Sequence, residues 1–458
     1  MDAIIELVKS IVKTEFIDLP DEAVYAAKMD ILDTIGVTIA GSGVAGGREL
    51  MGLIGDWGGK EESSVIMYDM KVPSPHAALV NGTMAHALDY DDAHEGVILH
   101  AGVTVIPAAL AIAERTGNVD GRKFLSAVVS GIDVICRLGE ASNISPSELG
   151  FMYTSLYGIF GAAVACGKLL GFDEERMLNA VGIAYSQAAG NFQCIADGAL
   201  TKRMQAGFAA MGGVNSALIA SMGLTGARNS LEGEKGLFQV YLRGNYDPAK
   251  LTANLGKHFG VVDLSFKPYP CCRNCHPFID ATLELANEND IPVDNVEEVR
   301  ATCSEVARLL CEPLEAKQRP RTFVDAQFSI PWVIATALVK RKVSLRDFTP
   351  EAILDESVIR ISSNVKTFVD PRMEARTTTP AIIEIKMKGS GKIFSKRVDI
   401  AKGNPAEPMS WQELCEKFKD CAGCGVRDIP KENVNKLLDI FSGFEDVEDI
   451  SNVIRLIS

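Results

Sequence analysis

The chain of 458 residues carries 47% hydrophobic side chains but only 7% aromatics, with 40 glycines and a formal charge of −14. That length allows two or three domains. The acidic balance argues against a nucleic-acid surface, and no apolar run reaches the roughly 18 residues that span a bilayer. The start, Met1-Asp2-Ala3-Ile4-Ile5-Glu6, lacks the basic region of a secretion signal, so a cytoplasmic protein is expected.

Small residues in this number point to closely packed helices, and to about residue 260 the pattern is helical. Pro20, Asp21 and Glu22 open a helix whose apolar face (Ala27, Ile31, Leu32, Ile35, Ile39) runs to Gly41-Ser42-Gly43. Further helices are expected over Val105–Thr116, Lys123–Leu138 (stopped by Gly139), Ile159–Leu170 and, after Asp173 as N-cap, Glu174–Gly190. Several are apolar over much of their circumference, so they belong inside a multilayer bundle.

The character changes at Lys267-Pro268-Tyr269-Pro270, where two prolines exclude a helix and a hinge is expected. Glu297–Cys303, Ser357–Ile361, Ala381–Lys388 and Ile393–Ile400 read as strands, the last two as a hairpin across Gly389-Ser390-Gly391. Helical stretches accompany them at Pro277–Asn287 and Ile330–Lys340; beyond Gly403-Asn404-Pro405 helices return at Ser410–Lys419 and Lys431–Phe441. The expected architecture is mainly α: a helical domain over 1–266, a smaller α+β domain over 267–403, and C-terminal helices over 404–458 that rejoin the first domain.

Chemistry concentrates between Asn81 and His100, where His86, His94 and His100 stand among Asp89, Asp91 and Asp92. Imidazole titrates nearest neutral pH, and a neighbouring carboxylate fixes its tautomer. The run DYDDAHEG is better suited to a turn than to a helix interior, with His94 read as a solvated loop residue. A second constellation is the adjacent pair Lys202-Arg203, about 100° apart on a helix, so that one is expected to face a ligand and the other solvent. The third gathers Lys267, Arg273 and His276 at the hinge. Eleven cysteines, an odd number, read as buried thiols. Cys272/Cys275 before His276, and Cys421/Cys424 near the start of a C-terminal helix, match halves of a metal pattern but stand far apart in the chain.

The runs HALDYDD, TKRMQAG, SLEGEKG, FKPYPCCRNCHPFID and DAQFSIP, in this order, resemble the MmgE/PrpD family, whose reactions include 2-methylcitrate dehydration, cis-aconitate decarboxylation and iminodisuccinate epimerisation. The resemblance implies a homodimeric enzyme without a cofactor, with a helical domain, a lid resembling chorismate mutase, and an active site between them. By position it makes Asp89, His100 and Lys202 catalytic, with Lys267 as a second cation. His86, Asp92, Arg203, Arg273 and His276 join Lys267 as candidates to bind a small anionic carboxylate. Three departures from the family pattern are Ala93 for threonine, Ala101 after His100 where proline is common, and Met152 where many relatives place histidine; Trp332 also follows FSIP in place of tyrosine. Tyr153 or Tyr157 is a candidate to replace the missing imidazole, a buried structural tyrosine being the alternative.

These reactions move a proton beside a carboxylate, so the cations stabilise enolate-like charge while His100, oriented by Asp89, carries the proton. A lyase dehydrating a 2-methylcitrate-like acid is the first expectation, an epimerase the second (with Tyr153 and Lys202 on opposite faces), a decarboxylase the third. Metal-dependent hydrolysis by the His/Asp cluster and a scaffold without activity are the readings from other classes.

Overall fold

A computed structural model describes residues 2–373 and 379–458. The chain is mainly α with a smaller α+β part, and it divides into two units: Met1–Ser265 with Trp411–Ser458, and Phe266–Ser410.

In the first unit, helix Thr201–Ser221 packs against helices Tyr153–Leu169 and Ser74–Ala85, and Tyr153–Leu169 in turn against Gly121–Ala141 and Gly102–Thr116. Glycine sets these separations. A Cβ on Gly161 would lie 2.5 Å from the Gly131 carbonyl oxygen, and one on Gly207 2.3 Å from that of Leu79, so both crossings admit only hydrogen at those positions. Helix Asp21–Gly41 is buried along most of its length and helix Trp411–Ala422 lies against it, so the C-terminal segment is part of this unit.

Two expected boundaries move. Helix Gly121–Ala141 runs through Gly139, because the bare Cα there admits the Leu99 and Val97 side chains rather than breaking the helix. The segment after Asp173 is helical only over Glu174–Tyr185. A short antiparallel pair, Ser63–Val65 with Met70–Val72, was not apparent from the sequence.

The second unit holds a four-stranded sheet in the order Val365–Val369, Val296–Cys303, Ala381–Met387, Ile393–Val398, the first pair parallel and the others antiparallel. The hairpin forms as its alternation predicts, Ile383 and Ile385 buried between half-exposed Glu384 and Lys386. The stretch expected as a strand at 357–361 is instead the helix Glu356–Ser362: Asp355 accepts the Ser357 amide as N-cap and Val358 and Ile361 bury one helical face, overriding β-branched propensity. The fourth strand is Val365–Val369, directly after it. Helices His276–Glu288 and Ile330–Lys340 pack together in this unit, and Trp332 of the latter is buried in its core.

Among the described residues, no helix is long and apolar enough to cross a membrane.

Candidate functional site

Three helix ends meet in the first unit. Helix Ser74–Ala85 stops at His86, helix Gly102–Thr116 starts just after His100 and Ala101, and Lys202 lies in the first turn of helix Thr201–Ser221. Ala85, Val103 and Ala206 form a small buried cluster that locks these ends together. Between them the chain from 86 to 101 is a turn, with Asp89 in the left-handed region at φ 53°, a conformation that aspartate tolerates better than most residues.

Asp91 is the hub of this turn. His86 Nδ1 lies 2.8 Å from its Oδ2 and His100 Nδ1 lies 3.0 Å from the same oxygen, the two rings 4.9 Å apart. His100 Nδ1 also approaches the Asp92 carbonyl at 2.5 Å. Every partner of these two Nδ1 atoms is an acceptor, which assigns the proton to Nδ1 in both rings and leaves each Nε2 as the basic nitrogen. Asp91 and His86 are fully buried, whereas the His100 side chain retains 16% exposure. Burial pushes the His86 pKa down to about 4; Asp91 opposes this and the Lys202 charge adds to it, so His86 is neutral near pH 7. Burial alone would raise the Asp91 carboxyl, but the imidazoles outweigh it and hold the pKa well below the usual range.

Asp89, expected to orient His100, is paired instead with Lys202 at 3.0 Å, and Asp91 takes the orienting place. The reason is local: with Asp89 in the left-handed region the turn directs successive carboxylates differently, a feature no spacing rule supplies. Arg203 does not face solvent as one member of the pair was expected to. It is buried and donates to the Ala45 carbonyl at 2.7 Å. Tyr153 donates its hydroxyl to the Ile144 carbonyl at 2.6 Å, and burial raises its pKa, so the structural reading of this tyrosine fits better than an acid–base one. Met152, at the position where the sequence resemblance implies a histidine, is buried, with Gln205 Nε2 3.3 Å from its sulfur. His94, expected in solvent, is buried beside Glu140.

Beneath the turn lies a layer of acids. Asp92 accepts the Ala101 and Gly102 amides, at 2.8 and 3.2 Å, and so caps a helix rather than presenting its oxygens to a substrate. Burial, then the Asp91 charge, raises its pKa to about 6. Asp30 is fully buried under Gly102, where a Cβ would fall 2.6 Å from one of its oxygens, and burial raises its carboxyl well above the usual range. Lys417 Nζ stands 2.6 Å from Asp33 and 2.7 Å from the Tyr90 carbonyl, so a residue of the C-terminal segment pins the turn. Asp30, Asp33 and Lys417 escaped the sequence reading. Two acids three residues apart inside the apolar run Met29-Asp30-Ile31-Leu32-Asp33 were the available signal.

In the second unit Lys267 is buried, Arg273 donates to the Lys402 and Ala401 carbonyls at 2.7 and 3.1 Å, and its Nη1 is 3.1 Å from His276 Nδ1. His276 Nε2 lies 3.2 Å from the Cys271 carbonyl. All eleven cysteines are thiols, and Cys421 sits in the last turn of helix Trp411–Ala422, not near a helix start.

Among the described residues two groups could hold a metal ion, His86 with Asp91 and His100, and His94 with Glu140 and Asp263; in each the ligand atoms lie within 4.8 Å of one another, and neither includes a cysteine. In the first group the nitrogen–oxygen separations of 2.8 and 3.0 Å are hydrogen-bond lengths. They are shorter than the roughly 3.3 Å between ligands on a tetrahedral zinc, so a shared proton suits it better than a cation.

Residues 5–249 match the MmgE/PrpD N-terminal domain and residues 269–439 the MmgE/PrpD C-terminal domain. The chain is similar to the cis-aconitate decarboxylase-like protein oryM of Aspergillus oryzae, 27% identical over 96% of this chain and 94% of that protein. It is 26% identical to cis-aconitate decarboxylase of Aspergillus terreus, covering 96% of this chain and 93% of the relative, and 26% identical to that of Homo sapiens, covering 96% and 91%.

Proposed function

The chain belongs to the MmgE/PrpD family, a family of carboxylate-lyase type, and we propose that it eliminates water from, or adds it to, a small di- or tricarboxylate resembling 2-methylcitrate, with its own side chains as acid and base. The observation that carries this reading is the pair of imidazoles sharing one buried carboxylate oxygen, with only His100 partly open.

His100 Nε2, the unprotonated nitrogen, takes the hydrogen beside a substrate carboxylate. The electron pair passes into that carboxylate as enolate-like charge, which the Lys202 ammonium stabilises. The imidazolium so formed is stabilised by Asp91 and returns the proton to the departing hydroxyl, which leaves as water. Asp89 holds the Lys202 ammonium in place, and His86 occupies the second position on Asp91, keeping that carboxylate dry and ionised. Lys267, Arg273 and His276 are carried as carboxylate ligands by the sequence resemblance alone.

A second reading, decarboxylation of a cis-aconitate-like acid, is favoured by the names of the relatives and opposed by Met152, which supplies no proton where the sequence resemblance implies an imidazole. Incubation with 2-methylcitrate, citrate, cis-aconitate and iminodisuccinate in deuterated buffer, followed by NMR, separates the cases. Loss or gain of water supports the dehydratase and release of carbon dioxide the decarboxylase. Deuterium entry without net conversion selects an epimerase, and inertness toward all four acids removes the proposal.

A further inference from the structure

We propose that His94, Glu140 and Asp263 form a binding site for one divalent cation of the zinc class, separate from the His86, Asp91 and His100 group. Three segments of the first unit build it. An antiparallel bridge, Ala93 N to Ser265 O at 2.9 Å and Ser265 N to Ala93 O at 2.8 Å, sets His94 next to the turn that ends at Asp263. Glu140 comes from the last turn of helix Gly121–Ala141.

Three observations point to a cation. His94 has a side chain nine-tenths buried, and neither of its ring nitrogens makes a well-aligned hydrogen bond; its nearest partner is Glu140, whose Oε1 lies 3.4 Å from Nε2 and whose carboxyl this contact holds below its usual range. That spacing is long for a hydrogen bond between these groups and equals the separation of about 3.3–3.4 Å between two ligands on a tetrahedral zinc with bonds near 2.0–2.2 Å. Two carboxylates also converge there, one of them at a helix C-terminus, where the backbone dipole already disfavours an anion; a cation between them offsets both terms. Finally, Asp263 Oδ2 lies 2.6 Å from His258 Nε2, so the carboxylate is itself hydrogen-bonded, as metal-ligating carboxylates are.

The other charges facing Glu140 are Lys250 and Arg137. Arg137 is occupied by Asp133 and by the Ala253 and His258 carbonyls, leaving the imidazole edge of Glu140 for the metal. An imidazole with two carboxylates suits zinc, cobalt or manganese better than magnesium or calcium, which prefer oxygen alone. The three ligand atoms lie within 4.8 Å of one another, and the Asp263 side chain is half-exposed. Because His94 is tied to Leu99 by its backbone N–H at 2.8 Å, a bound cation fastens the segment leading into His100 to the end of helix Gly121–Ala141.

The test uses the full chain, stripped by chelator and freed of it, titrated with zinc by calorimetry and with cobalt by absorption. One equivalent is expected to bind, to raise the melting temperature, and to give cobalt d–d bands without the intense charge-transfer absorption of a thiolate ligand. Glu140→Gln and Asp263→Asn, both at partly exposed side chains, are each expected to weaken zinc at least tenfold with unchanged circular dichroism, while Asp91→Asn leaves the titration as it was. The proposal is overturned by the absence of binding at micromolar zinc, by a thiolate signature, by loss of binding in Asp91→Asn, or by Glu140→Gln and Asp263→Asn binding like the parent.

Discussion

His100 Nδ1 rests 3.0 Å from Asp91 Oδ2, and this carboxylate together with the Asp92 carbonyl at 2.5 Å, not a contact with Asp89, fixes Nε2 as the basic nitrogen of the imidazole. An amide at position 91 removes the charge that stabilises imidazolium and weakens the hold on Nδ1, leaving the Asp92 carbonyl as its acceptor. Asp91→Asn is therefore expected to lower kcat by at least about 100-fold with KM nearly unchanged, the range in which positioned acid–base groups act. Steady-state kinetics on the acid found by the deuterium screen checks this; a loss confined to KM would take Asp91 out of the proton transfer.

Lys202 carries the opposite charge to the enolate-like electron density, and its side chain is 22% exposed, so its loss harms chemistry more than folding. Lys202→Met is expected to cost on the order of 3 kcal/mol of barrier, roughly 100-fold or more in kcat, with a melting temperature close to that of the parent. Near-normal turnover in a folded variant would exclude this ammonium from the mechanism. Asp89→Asn, which keeps a residue that tolerates φ 53°, separates the role of the Asp89 charge from that of the backbone turn.

The histidine-rich turn was legible because titratable residues crowded twenty positions, and the Lys202 run because two cations opened an apolar helix. The helical bundle was legible from its periodicity and its glycines. What a linear reading lacked was three-dimensional pairing. Asp89 and Asp91 are two residues apart, and only the left-handed backbone at Asp89 assigns one to Lys202 and the other to His100. Gly139 looked like a stop and proved to be a seat for Leu99. Lys417 stands more than 300 residues from Tyr90, so no local pattern could join them. The stretch at 357–361 misled because β-branched residues were weighed above the capping aspartate before them.

Asp30 and Asp92 bind protons more tightly in the folded chain than in the unfolded one, so stability from this pair is fully present below the usual carboxylate pKa near 4 and is lost as pH rises through their raised values, that of Asp92 being about 6. His86, buried neutral, and Asp91 act in the opposite sense as pH falls, so the parent alone does not isolate the effect. The difference between Asp30→Asn and parent does. The amide keeps the shape without a charge to bury; the variant is expected to be the more stable at pH 8, by about 1–3 kcal/mol, with the gap closing toward pH 4. Urea unfolding at the two pH values measures it, and a gap that is constant or widens on acidification would show that Asp30 is not the proton-holding group.

Lys417 and Asp33 are both buried, and removing one partner leaves the other's charge without its counterion in a medium that solvates it poorly. Lys417→Met is expected to destabilise the protein by about 3–5 kcal/mol, read as a lower urea midpoint. It also deprives the Tyr90 carbonyl, next to Asp91, of its ammonium donor. If the lysine positions the turn as well as holding the fold, the surviving folded variant should show a reduced kcat at temperatures well below its unfolding, whereas unchanged kcat there would confine Lys417 to stability. The double variant Lys417→Met with Asp33→Leu distinguishes the charge from the packing: recovery of stability without recovery of kcat is the expected result, because the apolar pair removes the buried charge yet cannot donate to Tyr90.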